Sequence, residues 1–322
     1  MGFVLNKALI RDPQFRIEGT RGEGIPASSS MTKIAHTALW VPRYDLNELI
    51  NRVAYGEDPA DIFETVLDVG YSMRFQIIDT NILQHGWNRS GGRTAYQTLA
   101  TITKVTIPVD DVDTDMWFIL KNTRIGVGSV RAMAGGPIIA DCFFSGKIDS
   151  DGFTLTEPAD ISYESISTPS GAKMTVDGGN QPLKITKVAT PFYPSMRSVV
   201  FSVDNNLTFI PEASASRTWV DNPPGERRLM GQVGLNMKDK LYWNMGVLNS
   251  YVDLEWTIIA SGAHKLIMSS TKPTKGALPF DVTGAAFGGL GGLAGFGGLG
   301  RLGAEEVVEM YSFPASLGGS MS

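Results

Sequence analysis

The order of apolar and polar residues along most of this chain has a period of two. Tyr251–Ile258 is the plainest case: Val252, Leu254, Trp256 and Ile258 fall on one side and Tyr251, Asp253, Glu255 and Thr257 on the other. That alternation predicts a strand with one face buried and one wet. Further strands are predicted at Met31–Val41, Tyr71–Ile78, Thr94–Ile107, Met116–Ile125 and Pro137–Phe144. Hairpins are predicted where turn residues separate two such runs. They are Phe143–Ile148 and Phe153–Thr156 about Asp151-Gly152, Lys173–Val176 and Leu183–Val188 about Asp177-Gly178-Gly179, and Val199–Val203 and Leu207–Ile210 about Asn205-Asn206. A fourth joins Val233–Met237 and Leu241–Met245 through Lys238-Asp239.

The period changes in three places. Residues 1–30 carry no periodic run and are punctuated by Gly, Pro and Ser, so they read as an N-terminal arm. Two short helices are expected near the N-terminus, at 45–55 and 58–68. Asp45 and Glu48 offer a capping box before Leu46, Leu49, Ile50 and Val53, and Asp58-Pro59 precedes Ile62, Phe63, Val66 and Leu67. Beyond Met268, the run Ser269–Gly276 reads as a linker into a tract with a period of three, Phe287, Leu290, Leu293, Phe296, Leu299 and Leu302 on a glycine background. On a three-residue-per-turn extended helix these form one ridge, whereas on an α-helix they spiral around the surface. Ala304–Tyr311 is left open between a helical turn and an edge strand.

This pattern predicts an all-β fold of tandem antiparallel β-sandwiches with extended terminal arms. The first sandwich spans residues 31–160 and the second 161–268, with a seam in the turn-rich stretch from Glu157 to Asn180; residues 269–322 hold the linker, the Gly-rich tract and the C-terminal tail.

Composition narrows the functional classes. The chain has 322 residues and a net charge of −5, and the charges of residues 1–30 are mixed. No electrostatic footprint for nucleic acid follows, and sequence-specific nucleic-acid binding is not expected. The opening Met1–Lys7 has too short an apolar run for a signal peptide, and synthesis in a cytoplasm is expected. One cysteine, Cys142, excludes an internal disulfide framework and reads as a buried small residue.

Candidate chemistry is sparse. His36, His85 and His264 have no metal-ligand spacing, and the six tryptophans, spread over different strands, read as core and interface anchors. Asp111, Asp113 and Asp115 have the opening rhythm of a calcium loop, but Met116 and Asn122 stand where its glycine and glutamate belong. A solvated acidic turn is the expectation. Arg227-Arg228 reads as a basic spot on a surface turn. No catalytic constellation, cofactor motif or phosphate loop is found, and the chain is expected not to be an enzyme.

In layout, many strands with distinct arms at both ends, the chain resembles the jelly-roll major capsid proteins of icosahedral viruses, especially the double jelly-roll type whose shell lies over an internal membrane. The resemblance implies a coat protein of the virion that assembles with copies of itself, often as trimers, and whose C-terminal tract touches neighbours, minor structural proteins or lipid. Two alternatives are carried, a phage tail-tube protein and a carbohydrate-binding β-sandwich module.

Overall fold

The computed structural model describes residues 9–10, 13–27, 29–34, 37–45, 48–52, 59–64, 67–77, 80–109, 112–155, 162–163, 183–187, 189–194, 196–211, 219–236, 251–258, 265–277, 305–312 and 319–321. Its first eleven strands are β1 (Leu9–Ile10), β2 (Gln14–Ile17), β3 (Ser30–Lys33), β4 (Thr37–Asp45), β5 (Glu48–Arg52), β6 (Pro59–Glu64), β7 (Asp68–Gln76), β8 (Leu99–Val109), β9 (Val112–Met133), β10 (Ile139–Thr154) and β11 (Ser162–Tyr163). The rest are β12 (Leu183–Lys187), β13 (Thr190–Phe192), β14 (Met196–Asp204), β15 (Ile210–Pro211), β16 (Trp219–Asp221), β17 (Arg228–Asn236), β18 (Val252–Thr257), β19 (Lys265–Ala277), β20 (Glu305–Ser312) and β21 (Gly319–Met321). One helix, α1 (Asn81–Trp87), is found among the described residues. The protein is all-β, and its described pairings are antiparallel except for β11 against β3.

The chain divides into two compact units whose segments interleave: residues 1–128, 140–170 and 204–227 make the first, and 129–139, 171–203 and 228–322 the second. In the first unit β8, β9 and β10 are successive neighbours, β7 lies against β10, and β4 against β7. On the other side β2 pairs with β8 and β3 with β2. Val109 and Val112 are partners, so Asp110-Asp111 are the two residues between β8 and β9. Both faces of the middle strands are buried. One carries Met31, Ile102, Trp117 and Ile119, with Ile25 packed against them. The other carries an aromatic cluster in which Tyr71 stacks on Phe144 at 4.8 Å and Phe118 meets Trp40 and Phe153 at 5.5 and 5.1 Å. Such pairs add about 0.5–1.5 kcal/mol each beyond the area they bury.

Several expectations are corrected here. The helices at 45–55 and 58–68 are replaced by an antiparallel pair, β5 with β6, in which Leu49 is registered on Phe63 and Ile50 on Ile62. Adjacent apolar doublets satisfy a helical stripe and a cross-strand ladder alike, and pairing across the sheet decides between them. Residues 13–30 are not an arm: β2 is sandwiched between β3 and β8, with Phe15 3 % exposed. Met31–Val41 divides into β3 and β4, and β4 continues through Pro42. β10 runs through Asp151-Gly152 without a hairpin. Asn205-Asn206 joins no hairpin either, since Leu207 bridges to Pro224 instead. The Asp177 and Lys238 hairpin turns lie outside the described residues.

The second unit is built on β13–β12–β18–β19–β20–β17, all antiparallel. β18 shows the alternation read in its sequence, with Val252, Leu254 and Trp256 buried. Ser269–Gly276, expected as a linker, is the body of β19. Its proline is tolerated because the register slips between Pro273 and Lys275, a bulge that relieves the ladder of a missing N–H. A second irregularity puts Ser270 at φ 50°, and its N–H donates to Asp253 Oδ1 at 2.7 Å. Glu305–Ser312 is a strand registered on both sides, Val308 opposite Val233 and Gly276.

Candidate functional site

The first unit carries a polar assembly that begins with Glu18, one residue past β2. Its carboxylate is 7 % exposed and accepts N–H groups from Gly22 at 2.9 Å, Gly24 at 3.1 Å and Asn122 at 3.0 Å. The chain curls around it, with Gly22 and Gly24 both at φ 73°, a conformation that costs glycine nothing. Beside it Arg124 of β9 donates to Asp221 Oδ1 at 2.5 Å, Asn222 Oδ1 at 2.7 Å and the Tyr96 carbonyl at 3.2 Å. Burial holds the Arg124 guanidinium below its ordinary pKa, against the opposing pull of Asp221. Arg21 closes on the other oxygen of Asp221 at 3.0 Å. This assembly fixes β2, β9 and residues 219–222 to one another, and each charge has a partner; its work is positioning.

What it positions is a groove of about 570 Å3. The walls include Phe15 and Arg16 of β2, Glu23 and Ser29 of the following loop, Thr32 of β3, and Arg93. Arg16 donates to Ser29 Oγ at 2.8 Å and lies 3.6 Å from Glu23, whose other contacts are the Gly19 and Thr20 N–H groups. Arg93 is held differently, by the side-chain oxygens of Asn81 and, at 3.5 Å, Gln84, both on α1. Among the described residues it meets no carboxylate. The groove therefore presents a guanidinium braced by neutral groups, beside a second that Glu23 largely balances, with hydroxyls between. Chemically it suits a carboxylate or another anion.

The residues singled out from sequence are dispersed. Asp113 and Asp115 sit in β9, not in a loop: Asp115 pairs with Lys104 at 2.7 Å and accepts Thr106 Oγ1 at 2.7 Å, while Asp113 is exposed opposite Pro108. Asp111 lies outside the described residues, as do Phe287, Leu290, Leu293, Phe296, Leu299 and Leu302. No group of three metal-capable side chains occurs among the described residues. His85 is buried on α1, 3.4 Å from the Thr94 carbonyl and edge-on to Phe15; His36 and His264 are outside the described residues. Cys142 is buried, and burial pushes its thiol pKa up. Trp40, Trp87, Trp117, Trp219 and Trp256 are buried. Arg227, expected on the surface, is 7 % exposed and donates to the Trp87 carbonyl; burial lowers its pKa to about 10. The groove was missed because most of its residues lie in the stretch read as an arm, and Arg93 stands far from them in sequence. The one available signal was Phe15 between Gln14 and Arg16, too short a pattern to mark a strand. No family model matches the chain, and comparison with curated proteins gives no match.

Proposed function

We propose that this chain is a self-assembling structural protein of a virus particle, whose principal partners are copies of itself and whose role is not catalytic. The observation that carries the reading is β4. Trp40 is 7 % exposed and locked in the aromatic cluster, while Leu39, Val41 and Tyr44 on the same strand are 47, 44 and 73 % exposed. Large apolar side chains held outward on a strand seated on a rigid core favour association with another chain.

The proposal has two forms, a jelly-roll shell of trimeric capsomers over an internal membrane, and a tail tube. A jelly roll is built of Greek keys, in which a long connection brings the fourth strand back beside the first. Read from its C-terminal end, the strand order β10–β9–β8 with β7 beside β10, and with α1 in the long connection between β7 and β8, has that arrangement, and this favours the shell. Residence in the virion follows from either form. Negative-stain microscopy and sedimentation of the purified protein test the reading: tubes or shells are expected. A monodisperse monomer that binds glycans overturns it in favour of the carbohydrate-binding alternative.

A further inference from the structure

The groove and the β8–β9 hairpin carry opposite charge and stand far apart on one sheet. Arg16 is registered on Ala100 and Asp113 on Pro108 of the same strand β8. At 3.3 Å per residue the two positions are about 26 Å apart, so a molecule's own Asp113 does not reach its own groove. Asp113 is exposed and, unlike Asp115, has no ion-pair partner among the described residues. It follows Asp110 and Asp111 in the sequence, which makes this end of the hairpin the most acidic short stretch of the chain. Arg93, in turn, has amide oxygens to brace it and, among the described residues, no carboxylate to neutralise it.

We propose that the groove of one molecule receives the acidic end of the β8–β9 hairpin of a second copy, with Asp113 paired to Arg93. The contact joins two different patches of the same surface. It is heterologous, and repeated from copy to copy it closes into rings or runs on as a filament, whereas an isologous contact stops at a dimer. Glu23 sharpens the fit by balancing Arg16, so that Arg93 is left as the anchoring charge. The inference rests on the self-assembly reading and names the surfaces that would carry it.

Two measurements on the full chain test it. A fluorescent peptide of residues 106–117 is titrated against the protein, together with a control peptide carrying Asn for Asp110, Asp111 and Asp113. Saturable binding is expected, weakened at least tenfold by the control substitutions, by Arg93→Glu or by raising salt tenfold. Assembly is then followed by sedimentation for Asp113→Lys, an exposed position where folding is not at stake, and for Asp113→Lys with Arg93→Glu. The single variant should lose assembly and the reversed pair should regain it. Binding that is absent or indifferent to Arg93 overturns the inference, as does assembly of Asp113→Lys at the wild-type level. The two proposals fail separately. Normal particles from every variant remove the inference and leave the self-assembly reading, while peptide binding without any particle removes the self-assembly reading and leaves the groove.

Discussion

At the scale of single residues, close approach of backbones sets the sharpest constraints. A Cβ on Gly70 of β7 would lie 2.1 Å from the Phe144 carbonyl oxygen and 2.8 Å from the Phe143 ring, whereas one on Gly92 would meet nothing within 4 Å. Gly70→Ala should therefore cost about 3 kcal/mol, since a backbone carbonyl cannot move aside, and Gly92→Ala should change stability by less than about 0.5 kcal/mol. Urea unfolding of the two variants checks the contrast. His85 supplies a pH dependence. Burial lowers its pKa from 6.5 to about 4, and its unpartnered Nε2 suits the neutral ring that donates from Nδ1 to Thr94. The folded pKa lies below the unfolded one, so the unfolded chain binds the extra proton. The stabilisation is complete above pH 6.5 and is lost as pH falls towards 4, a change of about 3 kcal/mol from this residue. His85→Gln should flatten that part of a stability profile measured between pH 7 and 4; an unchanged slope refutes the assignment. None of this was legible in the sequence, where Gly70 resembles any strand glycine and His85 has no spaced partner. Gly70 is constrained by the distant β10, and His85 is enclosed by Phe15 of β2 as well as by the nearby Thr94 carbonyl.

Elements were legible where their pattern was local. β18 followed its alternation, and β7, β8 and β9 overlap the stretches expected to be strands at 71–78, 94–107 and 116–125 but run beyond them. Where a segment's partners are remote, pattern failed. Glu305–Ser312 owes its strand state to β17 and β19, and β2 owes its state to β3 and β8. The N-terminal stretch gives the clearest prediction at this scale. Deleting residues 1–30 removes Phe15, Ile25 and the Glu18 carboxylate, and leaves the Asn122 N–H without its acceptor. Burial of Phe15 is worth about 1.5–3 kcal/mol, the half-buried Ile25 contributes less, and the unsatisfied donor costs about 1–3 more, a large part of an ordinary domain's stability. Circular dichroism and hydrogen exchange of the truncated chain should show the first unit unfolded. A native spectrum with protected β8 amides would restore the reading of this stretch as an arm that contributes little to the domain's interior.

Across the whole molecule, interleaving of the two units means that no single cut separates them. A sequence read from one end invites a seam near residue 160, because a run of Ser, Pro and Gly there looks like a boundary. Yet residues 204–227 belong to the first unit and supply parts that its earlier segments cannot replace. Asp221 and Asn222 meet the buried Arg124, Asn205 donates to the Gly86 and Ile125 carbonyls at 2.9 Å, and the Trp219 indole donates to the Leu67 carbonyl at 3.1 Å. A fragment ending at residue 160 would keep Arg124, 3 % exposed in the full chain, without its carboxylate. Leaving one member of such a pair alone costs about 3–5 kcal/mol, and loss of Trp219 from its site adds about 3–5 more. Against a stability of about 5–15 kcal/mol for a typical domain, that is enough to unfold the fragment. Residues 1–160 expressed alone should therefore give no cooperative thermal transition, and residues 161–322, lacking the segment 129–139, should fare no better. Co-expressed, the two should recover a soluble complex, because every contact missing from one is carried by the other. A cooperative transition from residues 1–160 alone would show that the chain is divided end to end after all.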